Sequence, residues 1–195
     1  MIHKVFSRPH FFNGRLLTAQ DLQAEQAYHR DKARFLNLQL YGTGIVSGLH
    51  IGLGQDHVSL TISPGYAIDT DGRDICVPCD VTIALPPEPN GLSLWIRYAE
   101  AEAAPTPQLP SPLPPDNLLA QTQIDEGFEI ELTPIPAGTG RQQPVLSPPS
   151  DTSDAWILLG VLLRKRNTWR LKPRRQQARE KAPTPRSAST NRTRR

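Results

Sequence analysis

The 195-residue chain has little cysteine, few aromatics and no long apolar run. Two cysteines exclude a disulfide-dense scaffold. No stretch approaches the ~18 apolar residues that a membrane-spanning helix needs. The opening MIHKVFSRPHFF lacks an apolar run followed by a small-residue cleavage site, so it does not read as a secretory signal. Aromatics are 6% and hydrophobic residues 37%, which describes a small soluble domain carrying more non-core material than usual. Catalytic signatures are missing as well: there is no GxSxG, no HExxH and no single cysteine in an obvious His/Asn context. What the chain does have is proline, 20 residues, about twice the usual share.

The net charge of +3 hides a split. Residues 164–195 hold 13 Lys/Arg and one acid, Glu180, giving +12. Residues 1–163 hold the other 9 basic and 18 acidic residues, giving −9. A basic tail on an acidic body suggests a tether or an arm for an acidic partner.

Residues 1–17 read as an irregular, aromatic lead-in with Phe6, Phe11 and Phe12 and a turn at Asn13-Gly14. Thr18 followed by Asp21 has the form of a helix N-cap with an acid that bonds back to it. The spacing predicts a helix over 18–41, free of Pro and Gly to Leu40, with a stripe of Ala24, Tyr28, Asp31, Phe35 and Leu38 on its packing side. Its centre, EQAYHRDKAR, is too polar for the core alone to explain. Gly42 fits a left-handed C-terminal cap.

A β domain over 44–171 follows. Alternation predicts strands at Ile45 to Leu53, Val58 to Ile62, Tyr66 to Ile68, Ile75 to Leu85 (bent at Pro78) and Leu92 to Tyr98. Asp69-Thr70-Asp71-Gly72 is a hairpin-turn signal. Phe128 to Leu132 resumes the alternation, and Trp156 to Leu163 reads as a strand buried on both faces. A turn at 164–167 and a returning strand at Trp169 and Leu171 complete it. Pro-rich insertions at 103–123 and 134–153 read as extended or exposed loops. Residues 172–195 read as a basic disordered tail. The expected fold class is mainly β, a small antiparallel sheet, sandwich or barrel-like domain of six to eight strands, with one N-terminal α-helix.

Three motifs invite chemistry and each has a plainer explanation. Cys76-Val-Pro-Cys79 lacks the second ligand pair of a structural zinc site and the helix start that activates a redox thiol. Asp69, Asp71 and Asp74 around Gly72 do not fit the register of a calcium loop, and a turn explains them. Gly42-Thr-Gly44-Ile-Val-Ser-Gly48 follows a helix and precedes a strand, the reverse of a dinucleotide site. The basic tail has no aromatic beyond Trp169 on which a base could stack, so nucleic acid is disfavoured.

Residues 8–51, RPHFFNGRLLTAQDLQAEQAYHRDKARFLNLQLYGTGIVSGLHI, resemble a pattern in accessory proteins of phage-tail-like contractile injection systems. There an aromatic pair and Gly precede "LLTA-D", then an "EQ-YHR" helix, then "LHG-G-V-GL-V", with Tyr41 standing here for the frequent His. Residues 63–85, SPGYAIDTDGRDICVPCDVTIAL, resemble the β-hairpin module of phage tail fibre and baseplate proteins, and the stretch from Trp156 resembles its late strand. The resemblance implies a structural, non-enzymatic subunit near a baseplate or fibres, acting by protein–protein contacts. It brings no catalytic residue with it. With no secretory signal visible, assembly in the cytoplasm is expected, within a particle either membrane-anchored or released, and with a single cysteine pair on a strand no metal or cofactor is expected.

On this reading Arg8, Phe11, Phe12, Asn13, Gly14, Tyr28, His29 and Arg30 are the candidate subunit interface. Arg174, Arg175, Arg179, Lys181, Arg192, Arg194 and Arg195 are candidates for an acidic partner. The expected partners are other subunits of a tail-like particle, with a further copy of the chain and an anionic surface as additional candidates. The alternative function is a free-standing β-rich module that binds a glycan or cell-surface target.

Overall fold

The computed structural model describes residues 5–107, 119–136, 146, 148–149, 155–166 and 168–172. Within them the protein is mainly β, with three small antiparallel sheets, one helix near the N-terminus and no closed barrel. The helix α1, Ala19–Leu40, is unbroken and starts at a complete capping box. The Asp21 backbone N–H donates to Thr18 Oγ1 (3.2 Å), and the Thr18 backbone N–H donates to Asp21 Oδ2 (3.1 Å). Each bond satisfies a backbone donor at the helix start. At the other end Gly42, with φ of 70°, donates to the carbonyls of Asn37 and Leu38, the expected left-handed cap.

Among the described residues ten strands follow, more than the six to eight anticipated. β1 (Gly44–Gly48), β4 (Gly65–Ile68) and β5 (Asp74–Val77) form one sheet in the order β1-β4-β5. β2 (Ile51–Leu53), β3 (Ser59–Ile62) and β6 (Val81–Ala84) form a second in the order β2-β3-β6. β7 (Gly91–Pro107), β8 (Leu119–Pro134), β9 (Ile157–Lys165) and β10 (Thr168–Lys172) form the third in the order β10-β9-β7-β8.

Two stretches anticipated as single strands are each a pair that changes sheets. Ile45 to Leu53 breaks at Gly48 and Leu49, with φ of 62° and 56°. A Cβ on Gly48 would lie 2.0 Å from the Pro64 carbonyl oxygen, so only glycine permits this close approach at the end of the β1–β4 ladder. Ile75 to Leu85 breaks between Val77 and Val81, where Pro78 has no N–H to give a ladder. Buried residues still alternate along each piece: Leu60 and Ile62 on β3, Ile75 and Val77 on β5. With Leu49, Ala67, Leu92, Leu94, Ile96, Ile157, Leu159, Leu162 and Trp169 they form one core shared by the three sheets. β9 is covered on both faces as far as Leu162, whereas Leu163 is exposed.

The proline-rich segment departs from expectation in a second way. Residues 103–107 and 119–123 are strand, and the β7–β8 ladder runs to the pair Pro107↔Leu119. β9 pairs with β7 only from Gly91 to Ile96, so beyond Tyr98 the hairpin is a two-stranded arm about 30 Å long. Pro105 and Pro107 are two apart, so their missing N–H groups fall on one side of β7. A strand with an open edge loses no ladder bond when that side faces outward. The remaining residues of both anticipated insertions, and the tail beyond Lys172, lie outside the described residues.

Candidate subunit interface

The feature that marks this region is a helix, α1, with no fully buried side chain. Helices of this length in water owe most of their stability to a packed apolar face, and this one has almost none inside the chain. Little of the stripe anticipated to pack is covered: Ala24, Asp31 and Phe35 are exposed, Phe35 meeting Phe6 of the lead-in, and Tyr28 and Leu38 are half-covered. The helix is held from another side, by polar contacts. The Asn37 side-chain amide donates to the Gly72 carbonyl (3.0 Å) and to Asp74 Oδ1 (2.7 Å). Gly72 fits there because a Cβ would lie 2.4 Å from the Arg34 carbonyl oxygen, and its φ of 80° already suits glycine.

The hairpin tip carrying Gly72 is built around Asp69. This carboxylate is fully buried and accepts from the backbone N–H groups of Asp71 and Arg73 (2.9 Å each) and from Arg73 Nε (2.6 Å). A turn therefore accounts for its acids, as anticipated. The Arg73 guanidinium also pairs with Asp71 and lies 5.3 Å from the centre of the Tyr98 ring. Asp74 accepts a further short hydrogen bond from the Tyr66 hydroxyl. Burial first, then that bond, raises the Tyr66 pKa.

The aromatic lead-in is fastened to the helix start by Arg15. Its guanidinium pairs with Asp21, donates to the His10 carbonyl and stands 5.6 Å from the Phe11 ring centre. Asp21 is held below the usual carboxylate range, chiefly by hydrogen bonds from Thr18, with Arg15 adding to them. Phe12 to Arg15 is closed by the Arg15 N–H to the Phe12 carbonyl (3.1 Å), with Gly14 at φ of 88°. Phe6 packs edge-on against Phe35, ring centres 5.6 Å apart. Even so, Phe11, Phe12, Leu16 and Leu17 remain exposed, Leu16 at 83%.

Of the anticipated interface residues, Arg8 and Phe11 line an open groove of about 360 Å³ with Pro9, His10 and the helix residue Glu25. His29 joins them through Glu25, Nε2 to Oε1 at 3.1 Å, and its ring meets Tyr28 edge-on at 5.1 Å. Phe12, Asn13 and Gly14 sit on the adjoining exposed turn, and Arg30 is exposed on the helix. Arg15 and Asn37 are the positions sequence reasoning missed. Asn37 had a signal, a lone amide inside the otherwise apolar FLNLQL. Arg15 had none.

The Cys76 and Cys79 thiols are free and exposed. Among the described residues, no three His, Cys, Asp or Glu side chains are placed to hold a metal ion. No helix among them is long and apolar enough to cross a membrane. The candidates from Arg174 to Arg195 lie outside the described residues.

This architecture has counterparts among solved structures. A chain in the baseplate complex from the type VI secretion system aligns over 88% of this chain at TM-score 0.50 and 12% identity. A chain of the type VI secretion system TssK-TssF-TssG baseplate subcomplex aligns over 87% at TM-score 0.51 and 12% identity. At such identity the likeness is one of fold. The alignments cover 59% and 61% of those two chains, so this chain spans about three fifths of their length. No known protein family and no curated protein matches the sequence.

Proposed function

We propose that the protein is a structural or adaptor subunit of a contractile injection system, placed near the baseplate and acting through protein–protein contacts rather than catalysis. The observation that carries this reading is the 22-residue helix without a buried residue, beside a lead-in that exposes Phe11, Phe12, Leu16 and Leu17. Large exposed apolar surfaces mark interaction sites. Two further facts support the same reading: the fold shared with type VI baseplate chains, and the resemblance of residues 8–51 and 63–85 to contractile-system components. Neighbouring subunits would cover the lead-in, with Arg8 supplying charge beside it and Arg30 on the exposed helix surface. The basic tail would add a salt-sensitive contact to an acidic subunit face or anionic surface.

The test is copurification with the particle. Wild-type protein should sediment with assembled sheath and baseplate. Phe11→Ser/Phe12→Ser should fold normally, because both side chains are exposed, yet fail to sediment. Normal incorporation of that variant would contradict the reading.

A further inference from the structure

Beyond Tyr98 the β7–β8 arm pairs with no further strand among the described residues. Residues 97–107 and 119–132 of this arm hold six acids and a single cation, Arg97. Arg97 pairs with Glu129 on one face. On the other face Glu100 and Glu126 stand directly opposite each other, and the next pair on that face is Glu102 with Ile124. All four are exposed. Like charges in opposed positions destabilise a ladder unless a cation comes between them. The ion pairs among the described residues include none to these three acids. The Tyr98 hydroxyl donates to Glu100 (2.8 Å), and the Arg73 guanidinium beside the Tyr98 ring is already held by Asp69 and Asp71.

We infer that this face of the arm is the docking surface for the chain's own basic tail, whose cations from Arg179 onward pair with Glu100, Glu102 and Glu126 of the same molecule. The direction of the chain points there. β10 is antiparallel to β9 and β9 to β7, so β10 runs the same way as β7. Lys172 pairs with Val161 and Val161 with Ser93, so the chain leaves β10 level with Ser93 and heading along β7 toward the arm.

The length suffices as well. Glu100 lies seven residues further along β7, about 24 Å, and two strands across, about 10 Å, a span of about 26 Å. An extended chain advances about 3.3–3.6 Å per residue, so eight residues past Lys172 cover about 26–29 Å. Arg174 and Arg175 fall short, whereas residues 179–195 reach, and they hold six cations against one acid, Glu180. Their long aliphatic stems also suit the exposed Ile124 beside the acids. A second arm is a poor occupant, since it would set acids against acids. Tethering keeps the tail at high effective concentration, so an outside acidic partner must compete for it. The latch belongs to the free chain and stands or falls apart from the particle assignment.

The experiment uses the full chain with one dye on the arm and one on the tail, read by single-molecule fluorescence transfer at picomolar concentration, where only contacts within one molecule are seen. The labels go on Ala101→Cys, on the arm's opposite face, and on Ala188→Cys, in a Cys76→Ser/Cys79→Ser background. Wild type should show a docked, high-transfer population at about 20 mM salt that is mostly lost at about 500 mM. Glu100→Gln/Glu102→Gln/Glu126→Gln should lower the docked-to-free ratio about eightfold at low salt, at about twofold for each exposed pair lost. Arg179→Gln/Lys181→Gln/Arg186→Gln, all outside the β sheets, should lower it as much, which keeps the test valid if the arm variant folds poorly by circular dichroism. Asp80→Asn/Glu88→Gln, two exposed acids outside the arm, should change it by less than about twofold. Transfer independent of salt, or unchanged by the tail substitutions, would overturn the inference. So would a loss as large in Asp80→Asn/Glu88→Gln as in the arm variant, or contact seen only between chains at micromolar concentration.

Discussion

Replacing Asn37 with Ala removes both side-chain hydrogen bonds that tie α1 to the β4–β5 hairpin. A net neutral hydrogen bond contributes about 1 kcal/mol, and one to a carboxylate about 1.5–3 kcal/mol when shielded. Asp74 is exposed, which places the second bond at the low end. The sum is about 2.5 kcal/mol, enough to speed exchange of the amides in the last turns of α1 roughly seventyfold if they open locally. Amides of β3 in the core should exchange as before. Asn37→Asp should be worse than Asn37→Ala, because it sets a carboxylate against the Asp74 carboxylate and the Gly72 carbonyl. Amide hydrogen exchange followed by mass spectrometry reads all three proteins side by side. Unchanged exchange over 33–40 in Asn37→Ala would refute the account of how the helix is held. An Asn37→Asp protein no worse than Asn37→Ala would refute the electrostatic part of it.

Further outcomes follow from other elements. Asp69→Ala leaves the Asp71 and Arg73 N–H groups and the Arg73 guanidinium without their buried acceptor, and should cost about 3–5 kcal/mol by chemical denaturation. Because the Asp21 pKa is lowered below 3.8, its contribution to the helix start is fully present above about pH 4 and is lost as pH falls through the folded value. Helix ellipticity should therefore drop further on acidification in wild type than in Thr18→Ala, which has already lost the largest cause of that lowering. Deleting residues 173–195 should leave the melting temperature unchanged, since the eight Lys/Arg there are set among no apolar periodicity. The same deletion should weaken partner binding at low salt and matter less at high salt.

What the sequence disclosed depended on whether the signal was local. The limits of α1 were legible because Thr18 and Asp21 cap it and nothing breaks it before Gly42. The Asp71-Gly72 turn was legible for the same reason. Sheet membership was not. Alternation runs on from β1 to β2 and from β5 to β6 while the chain changes sheets, and only Gly48 and Pro78 mark the breaks. The packing side of α1 was misread because apolar spacing normally reports packing, and here the intramolecular contact is an amide. The β7–β8 arm was read as loop because proline counts against strands, a rule that relaxes on an open edge. Of the candidate interface, Arg8, Phe11 and His29 gather around Glu25, while Arg15, which fastens the lead-in, carried no pattern of its own.

The central claim is that the lead-in is a docking surface for other subunits. Hydrogen exchange of the isolated protein and of the protein within the purified particle tests it most directly. The account predicts strong new protection over residues 6–17 in the particle, with the amides of β3 and β9 unchanged. Equal exchange over 6–17 in both states, with new protection confined to the β7–β8 arm, would contradict it.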